Sequence, residues 1–437
     1  MNTSNLTTNE LSYKREEKLI RVLMAYVATG LFFMLLPGTL LGVVNLFNIS
    51  SDTGTSSISP AWIQAHGQAQ LFGWVGSFIL GLGFYSIPFI RRVSSYSYKE
   101  EWIAWSLYTT GVFLRWYVGV YNSGWRVILP LSTLFELMAV IIFLVKSRQG
   151  HKKEVDTKHK LPIWVQLVLF GTIGQFITFA LNFGQSVNLA INSKSVVYPE
   201  YFDIRFLTLA IWGFILPIAW GFSAHWLSII LKLKPINEKL IYTGLLFNLT
   251  GLICLGLPSL LISSICFIFA AIFIILGLRL FESNQGKPQT NGIIASFPIF
   301  VKTAYIWLII SAVLSIMSAL YPETLGIGGS SRHAVTVGFM CNLIFCVAPR
   351  MLPAFLGRSK IFSIGLMLVS LLLINLGCTL RVSTEILAYN NYLPVAWKIL
   401  PVSAVIELTA IVIFFTNMGL TMLQKPIQNE ILKAQTN

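Results

Sequence analysis

The chain has 437 residues, of which 55% are hydrophobic and only 11% are charged. Soluble domains carry roughly a quarter charged residues, so the composition excludes an ordinary soluble domain, a disordered chain and a disulfide-stapled secreted fold. The formal net charge is +14. The connections between apolar runs are short and lack the aromatic and basic pattern of a nucleic-acid surface. The expected partner is therefore the lipid bilayer and not nucleic acid.

Apolar runs of about twenty residues, the length that crosses a bilayer, recur along the whole chain. The first, near residues 19–47, is too long for the core of a signal peptide and predicts a retained membrane span. The following runs lie near residues 66–90, 102–121, 126–145, 161–190, 206–231, 240–257, 259–281, 299–320, 333–356, 361–382 and 396–423. The sequence thus predicts an all-α polytopic membrane protein of about twelve transmembrane helices.

Lys and Arg are concentrated in alternate connections. Residues 48–61 and 322–331 carry none, whereas the basic segments are 1–18, 91–101, 146–160 and 232–239. Cytoplasmic loops of membrane proteins are enriched in Lys and Arg. We therefore expect both termini to be cytoplasmic and the protein to lie in the inner (cytoplasmic) membrane.

An internal repeat divides the spans into three groups of four. Residues 128–144 and 399–415 match at nine of seventeen positions, and Gly111, Gly244 and Gly377 are each 133 residues apart. Self-similarity at a fixed period indicates a repeat architecture. The predicted organisation begins with a cytoplasmic N-terminal tail at residues 1–18. Three repeats follow at 19–160, 161–298 and 299–437, and the last range includes a short cytoplasmic C-terminal tail.

Ionisable side chains inside membrane spans are costly and usually face the bundle interior. The first and third repeats place six of them at matching positions: His66, His333, Arg115, Arg381, Glu136 and Glu407. The histidines and arginines are expected in one layer near the outer face, and the glutamates roughly 10–15 Å deeper. The middle repeat lacks these residues, with Asn248 where the others have arginine.

Two imidazoles on facing helices are the axial ligands that a non-covalent b-type haem requires. Guanidinium groups suit its anionic propionates. The pattern thus favours haem b with His66 and His333 on the iron and with Arg115 and Arg381 near the propionates. Two alternatives stay open. The histidines are also typical of residues that cap helices by bonding carbonyls, and the Arg–Glu sets are typical of buried ion pairs.

Other candidate ligands are weaker. His225 lies beside Trp226 near the inner end of span six, as an interfacial belt residue would, and is a minor metal candidate. The cysteines form no C-x-x-C pair, which excludes zinc ribbons and covalent haem attachment. Cys341 and Cys346 fit packing positions on span ten, with soft copper ligation as the alternative.

The stretch HGQAQLFGWVGSFILGLGFYSIPFI (66–90), within a twelve-span chain, is similar to the second span of subunit I of haem–copper oxidases, especially C-type oxidases and nitric oxide reductases. Those enzymes have a copper-binding histidine in span six, a His-His pair in span seven and a second histidine in span ten. This chain departs from that pattern, with no His-His pair and one histidine in span ten. The comparison therefore disfavours a complete haem–copper active site and oxygen reduction.

The segments VKTAYIWLIISAVL (301–314) and RHAVTVGFMCNLIFCVAPRMLP (332–353) resemble the NnrS family more closely. That resemblance implies a haem- and copper-containing membrane protein of the nitric oxide response. It also implies that His66 and His333 match histidines of the family pattern and that Arg350 matches a basic residue after the span-ten core. The chain has fewer histidines than that pattern, which argues against copper.

The expected function is that of an NnrS-like integral membrane haem protein in the nitrosative stress response or in redox handling of a diatomic gas. Nitric oxide, another diatomic gas and a redox partner are the candidate partners. One alternative is a degenerate relative of oxidase subunit I with an electron-transfer or structural role. The other is a cofactor-free transporter of a small anion or a proton.

Overall fold

The computed structural model describes residues 8–52, 54, 58–90, 98–148 and 161–424. Every regular element in these ranges is a helix, which confirms the all-α prediction. The first seven residues of the predicted N-terminal tail, the C-terminal tail after residue 424 and most of the basic connections at 91–101 and 146–160 lie outside the described residues.

The first half of the chain forms six helical rods, several of which contain a π-helical segment between α-helical stretches. Helix α1 comprises Thr8–Phe33, the π segment Met34–Leu40 and Leu41–Ser51, and α2 comprises Pro60–Gln68, the π segment Ala69–Gly76 and Ser77–Ile90. Helices α3, α4 and α5 are Lys99–Tyr121, Trp125–Arg148 and Ile163–Asn192. Helix α6 comprises Glu200–Leu209, the π segment Ala210–Ile215, Leu216–Phe222, the π segment Ser223–Leu227 and Ser228–Ile230.

The second half forms the remaining rods. Helices α7, α8 and α9 are Glu238–Cys254, Leu261–Leu278 and Phe297–Leu320. Helix α10 comprises Ile327–His333, the π segment Ala334–Cys341 and Asn342–Phe355, and α11 and α12 are Ile364–Tyr389 and Ala396–Leu423.

Within residues 8–52, 54, 58–90, 98–148 and 161–424, nine of the rods are long and apolar enough to cross a membrane. The chain is therefore a multi-pass membrane protein. The other three rods are α2, α3 and α7, for which the predicted span stays a prediction.

Helices α2 and α10 each begin six residues before the apolar run that predicted them. Helix α2 begins at Pro60, where the Ser59 hydroxyl accepts a hydrogen bond from the Ala61 N–H, as an N-terminal cap does. Helix α10 begins at Ile327, directly after Gly326 with a φ of +81°. His66 and His333 consequently lie inside helices and not at their first residues.

The chain divides into two compact units. Unit 1 contains the described residues of 1–38, 64–160 and 179–197, and unit 2 contains those of 39–63, 161–178 and 198–437. In unit 1, α3 packs along α4; in unit 2, α7 packs along α8 and α11 along α12.

A close glycine crossing recurs in these three helix pairs. A methyl group on each glycine would lie 2.7 to 3.2 Å from a backbone carbonyl oxygen of the partner helix. The pairs are Gly111 with Ser132, Gly244 with Ala270 and Gly377 with Ser403. Because small residues let helix backbones approach closely, the 133-residue spacing of the glycines marks three equivalent helix contacts. The division of the whole chain into three repeats stays a prediction.

The same crossings locate the buried glutamates. Each glycine also lies against the residue four positions after that carbonyl. These residues are Glu136 for Gly111, Ile274 for Gly244 and Glu407 for Gly377. Ile274 therefore occupies the position of the two glutamates, a correspondence that the sequence comparison did not identify.

A polar network joins α9, α10 and α11 in unit 2. Asn342 and Asn375 exchange side-chain hydrogen bonds of 3.3 and 3.2 Å, and the Trp307 indole N–H donates to Asn375 at 3.2 Å. Asn342 also donates to the Phe300 carbonyl at 3.3 Å. Side-chain amides of this kind hold membrane helices together.

Two connections of unit 2 are held by charged side chains. Arg358, between α10 and α11, donates to the Thr421 carbonyl and to Gln424 near the end of α12, and burial lowers the pKa of Arg358. Lys234, between α6 and α7, donates to the Glu282 carboxylate at 2.9 Å.

Candidate functional site

The π segment of α1 lies opposite His66 in unit 1. It contains Pro37, which has no N–H and interrupts the helical hydrogen-bond ladder. Three side chains donate to carbonyl oxygens of this segment. The bonds are His66 Nδ1 to Gly38 at 2.9 Å, Gln70 Nε2 to Met34 at 3.3 Å and Trp116 Nε1 to Pro37 at 3.2 Å.

The bond to Gly38 fixes the protonation pattern of the His66 ring. A carbonyl oxygen only accepts hydrogen bonds, so Nδ1 carries the hydrogen and, in the neutral ring, Nε2 carries the lone pair. Metal-binding histidines commonly present this arrangement, with one ring nitrogen bonded to a carbonyl and the other on the metal. The carbonyl contact that the sequence left as an alternative is thus present, and it is compatible with ligation.

The small residues that follow His66 contact neighbouring helices. A methyl group on Gly73 would lie 2.8 Å from the Phe33 side chain, and Gly76 lies against the Tyr108 hydroxyl. That hydroxyl donates to the Phe72 carbonyl at 2.9 Å, inside the π segment of α2. Side chains from α1 and α3 therefore pack against this face of α2.

Arg115 and Glu136 lie buried in unit 1 and interact electrostatically. Asn182 of α5 donates to Glu136 Oε2 at 3.2 Å, whereas Glu136 Oε1 has no hydrogen-bond partner in the described part of the chain. Asn182 was not among the predicted site residues. Arg115 and Glu136 are therefore close enough to interact electrostatically, and an ion pair between them stays a prediction.

His333 in unit 2 is held as His66 is in unit 1. Its Nδ1 donates to the Gly329 carbonyl at 3.1 Å, and Oε2 of Glu385 lies 3.9 Å from the same nitrogen. The π segment of α10 begins at the next residue, Ala334. The lone pair of the neutral ring is again on Nε2.

Arg381 contacts a different glutamate from the one predicted. Its Nη1 lies 3.2 Å from Oε2 of Glu385, four residues later on α11. Glu407 interacts with Arg381 only through the longer-range electrostatic field, and Glu407 Oε1 has no hydrogen-bond partner among the described residues. The Arg381–Glu407 ion pair of the sequence alternative is thus replaced by an Arg381–Glu385 pair.

The remaining candidates lie in different surroundings, and Cys341 is close enough to Glu407 to interact with it electrostatically. His225 stacks on Trp164 with ring centres 4.5 Å apart, an arrangement typical of an aromatic belt residue. Arg350 is half-buried in α10, and Cys341 and Cys346 are buried in the same helix.

Few possible metal ligands lie together in the described residues. Within the described ranges no group of three or more His, Cys, Asp or Glu side chains could hold a metal ion. A haem iron needs only one or two imidazoles, and each unit supplies one imidazole of the required tautomer. Haem b and copper both stay predictions.

Comparison with known proteins supports the fold. The chain is similar in structure to a haem–copper terminal oxidase, described as "Cryo-EM structure of a heme-copper terminal oxidase dimer provides insights into its catalytic mechanism", with a TM-score of 0.66 at 13% sequence identity. The match covers 93% of this chain and 85% of that chain. The two chains therefore share a fold.

Sequence comparison is less informative. A family described as "Domain of unknown function (DUF8744)" matches residues 290–419, which include α9 to α11 and most of α12. No curated protein matches the sequence.

Proposed function

We propose that this chain is a membrane haem protein of NnrS type that binds nitric oxide or another diatomic gas and exchanges electrons with a redox partner. The proposal depends on one observation. In each unit an imidazole inside a helix donates its Nδ1–H to a backbone carbonyl, so that the lone pair of the neutral ring is on Nε2. The oxidase-like fold supports haem as the cofactor.

The protein's own groups have distinct roles in this proposal. His66 and His333 each supply a ligand nitrogen, held in orientation by Gly38 and Gly329. Arg115 and Arg381 each place a guanidinium group in one unit, and such groups would suit the anionic propionates of a haem. Haem b, when bound, supplies an iron centre for gas binding or electron transfer. The basic inner connections support placement in the cytoplasmic membrane with both termini inside.

A second candidate function is transport of a proton or small anion without a cofactor. It is favoured by Oε1 of Glu136 and Oε1 of Glu407, two buried oxygen atoms with no hydrogen-bond partner in the described part of the chain, because intramembrane carboxyl groups often mark proton pathways. We rank it second because it assigns no role to the orientation of the two histidines.

The visible spectrum of the purified protein tests the first proposal. Protein from haem-replete cells, purified in detergent, is expected to show a Soret band that shifts when nitric oxide is added to the reduced sample. The double variant His66→Ala/His333→Ala should lose the band. His225→Ala, the matched substitution in an aromatic stack, should keep it, and metal analysis should find no stoichiometric copper. A colourless wild-type protein would contradict the haem proposal and favour the transporter.

A further inference from the structure

Glu385 is a buried carboxylate at the centre of the polar cluster around His333. Its Oε2 lies 3.9 Å from His333 Nδ1 and 3.2 Å from Arg381 Nη1, and the Ser330 hydroxyl donates to it at 3.4 Å. The side chain of Glu385 is 5% exposed. A carboxylate so deeply buried needs these partners to remain in the fold.

The backbone of α10 leaves room for this carboxylate at one glycine. A methyl group on Gly329 would collide with Oε1 of Glu385. The carbonyl of the same glycine accepts the hydrogen bond from His333 Nδ1. One residue of α10 therefore accommodates Glu385 and orients the imidazole.

Positive charge surrounds Glu385 as well. Arg332 and Arg381 both interact with its carboxylate electrostatically, and Tyr389 is hydrogen-bonded to Arg381. These groups fix the position of the carboxylate beside the ring. Glu385 is thus held in place independently of His333.

A carboxylate in this position affects how well the ring binds a metal. An imidazole that donates its Nε2 lone pair to a metal gains positive charge, and a nearby negative charge stabilises that state. Loss of such outer-shell partners typically weakens metal binding by about 10–100-fold. Glu385 therefore has the chemistry to strengthen His333 as a ligand.

The first repeat has no counterpart of this residue in its sequence. Glu385 follows Arg381 by four positions, and the residue four positions after Arg115 is Gly119. The carboxylate is consequently a feature of the third repeat alone at that position.

We propose that Glu385 is a positioning residue for His333 and strengthens this imidazole as a ligand of a haem iron. This inference rests on the proposed function. It adds that a haem held by His333 is bound more weakly when the Glu385 carboxylate is removed.

The test uses full-length protein purified from haem-replete cells and titrated with haem, with the midpoint potential of the bound haem measured for each variant. We expect Glu385→Gln to weaken haem affinity about tenfold or more and to raise the potential, because the lost negative charge no longer stabilises the oxidised iron. Glu385→Asp, which keeps the charge, should restore most of both values. Glu101→Gln removes another buried carboxylate, near the start of α3 in unit 1, and should match the wild type.

Two further variants keep the test decisive if Glu385→Gln does not fold. Gly329→Ala displaces the carboxylate without removing its charge and should also shift the potential. His333→Ala/Glu385→Gln should bind haem no more weakly than His333→Ala alone, since Glu385 acts through the ring. Equal affinity and potential in wild type, Glu385→Gln and Gly329→Ala would overturn the role of Glu385. A colourless wild type would instead overturn the haem proposal and this inference with it.

Discussion

Asn342 and Asn375 bond to each other in both directions, each amide donating to the oxygen of the other at 3.2 to 3.3 Å. The pair joins α10 to α11 next to the indole of Trp307 on α9. A reciprocal amide pair satisfies two donors and two acceptors at once, so both residues are needed for either to be fully bonded.

Asn375→Leu should destabilise the protein by about 1–2 kcal/mol, because it leaves the Asn342 amide and the Trp307 N–H without a shared partner. Thermal unfolding in detergent measures the change. The double variant Asn342→Leu/Asn375→Leu should cost less than the sum of the two single variants. Strict additivity would show that the pair is not coupled.

Gly377→Ala should destabilise the α11–α12 contact by about 1–3 kcal/mol. The added methyl group would lie 2.6 Å from Glu407 Cγ and 3.2 Å from the Ser403 carbonyl, on a rigid helix surface. Gly419→Ala, on α12, is the matched control because no heavy atom lies within 4 Å of its added methyl group. That variant should be stabilised by about 0.4–1 kcal/mol, and equal melting temperatures for the two variants would refute the crossing.

Trp116→Phe should cost about 1 kcal/mol, since the Pro37 carbonyl loses its indole donor while the apolar ring is largely kept. Trp102→Phe, a substitution at an indole with 40% exposure, should have little effect. Chemical or thermal unfolding of the two variants compares them directly. An equal effect would mean that the donor to the α1 π segment adds nothing to stability.

The Lys234–Glu282 contact should give a small pH-dependent contribution outside the membrane. The hydrogen bond from Lys234 holds the pKa of Glu282 below its usual range. Because the folded pKa is the lower one, the contribution is present above the unfolded pKa and is lost as pH falls through the folded pKa. The melting-temperature difference between wild type and Lys234→Ala should therefore disappear in acid. In the Glu282→Gln variant, adding Lys234→Ala should change the melting temperature equally at all pH values. A difference that grows as pH falls would contradict the sign.

Hydropathy located the helices well because burial in lipid demands long apolar runs, but it misplaced their ends. Glu385 fell outside the predicted run 361–382, although α11 continues to Tyr389. Glu101 fell just before the run 102–121, although α3 begins at Lys99. Charged residues at helix ends lower the local hydropathy. Side chains that belong to buried polar clusters are therefore the first to fall outside a predicted apolar run.

The partners of the predicted residues were harder to obtain. The spacing of four between Arg381 and Glu385 is a helical pairing signal that the sequence does contain. Asn182, by contrast, is a neutral amide in an apolar run and carries no mark of its contact with Glu136. The contacts of His66 and Trp116 with α1 depend on π segments, which leave no hydropathy pattern because they change the winding of a helix and not its composition.

That winding has an effect on how related chains can be aligned. A π segment holds one more residue than the α-helix it interrupts, and one residue corresponds to about 100° of rotation about the helix axis. In a relative whose α2 has no π segment, the residue equivalent to Ser77 would face the same neighbours only if that chain had one residue fewer between the equivalents of His66 and Ser77. Alignments of related chains are therefore expected to contain single-residue gaps within helices of this fold. Such a gap marks the gain or loss of a π segment and not a disrupted helix.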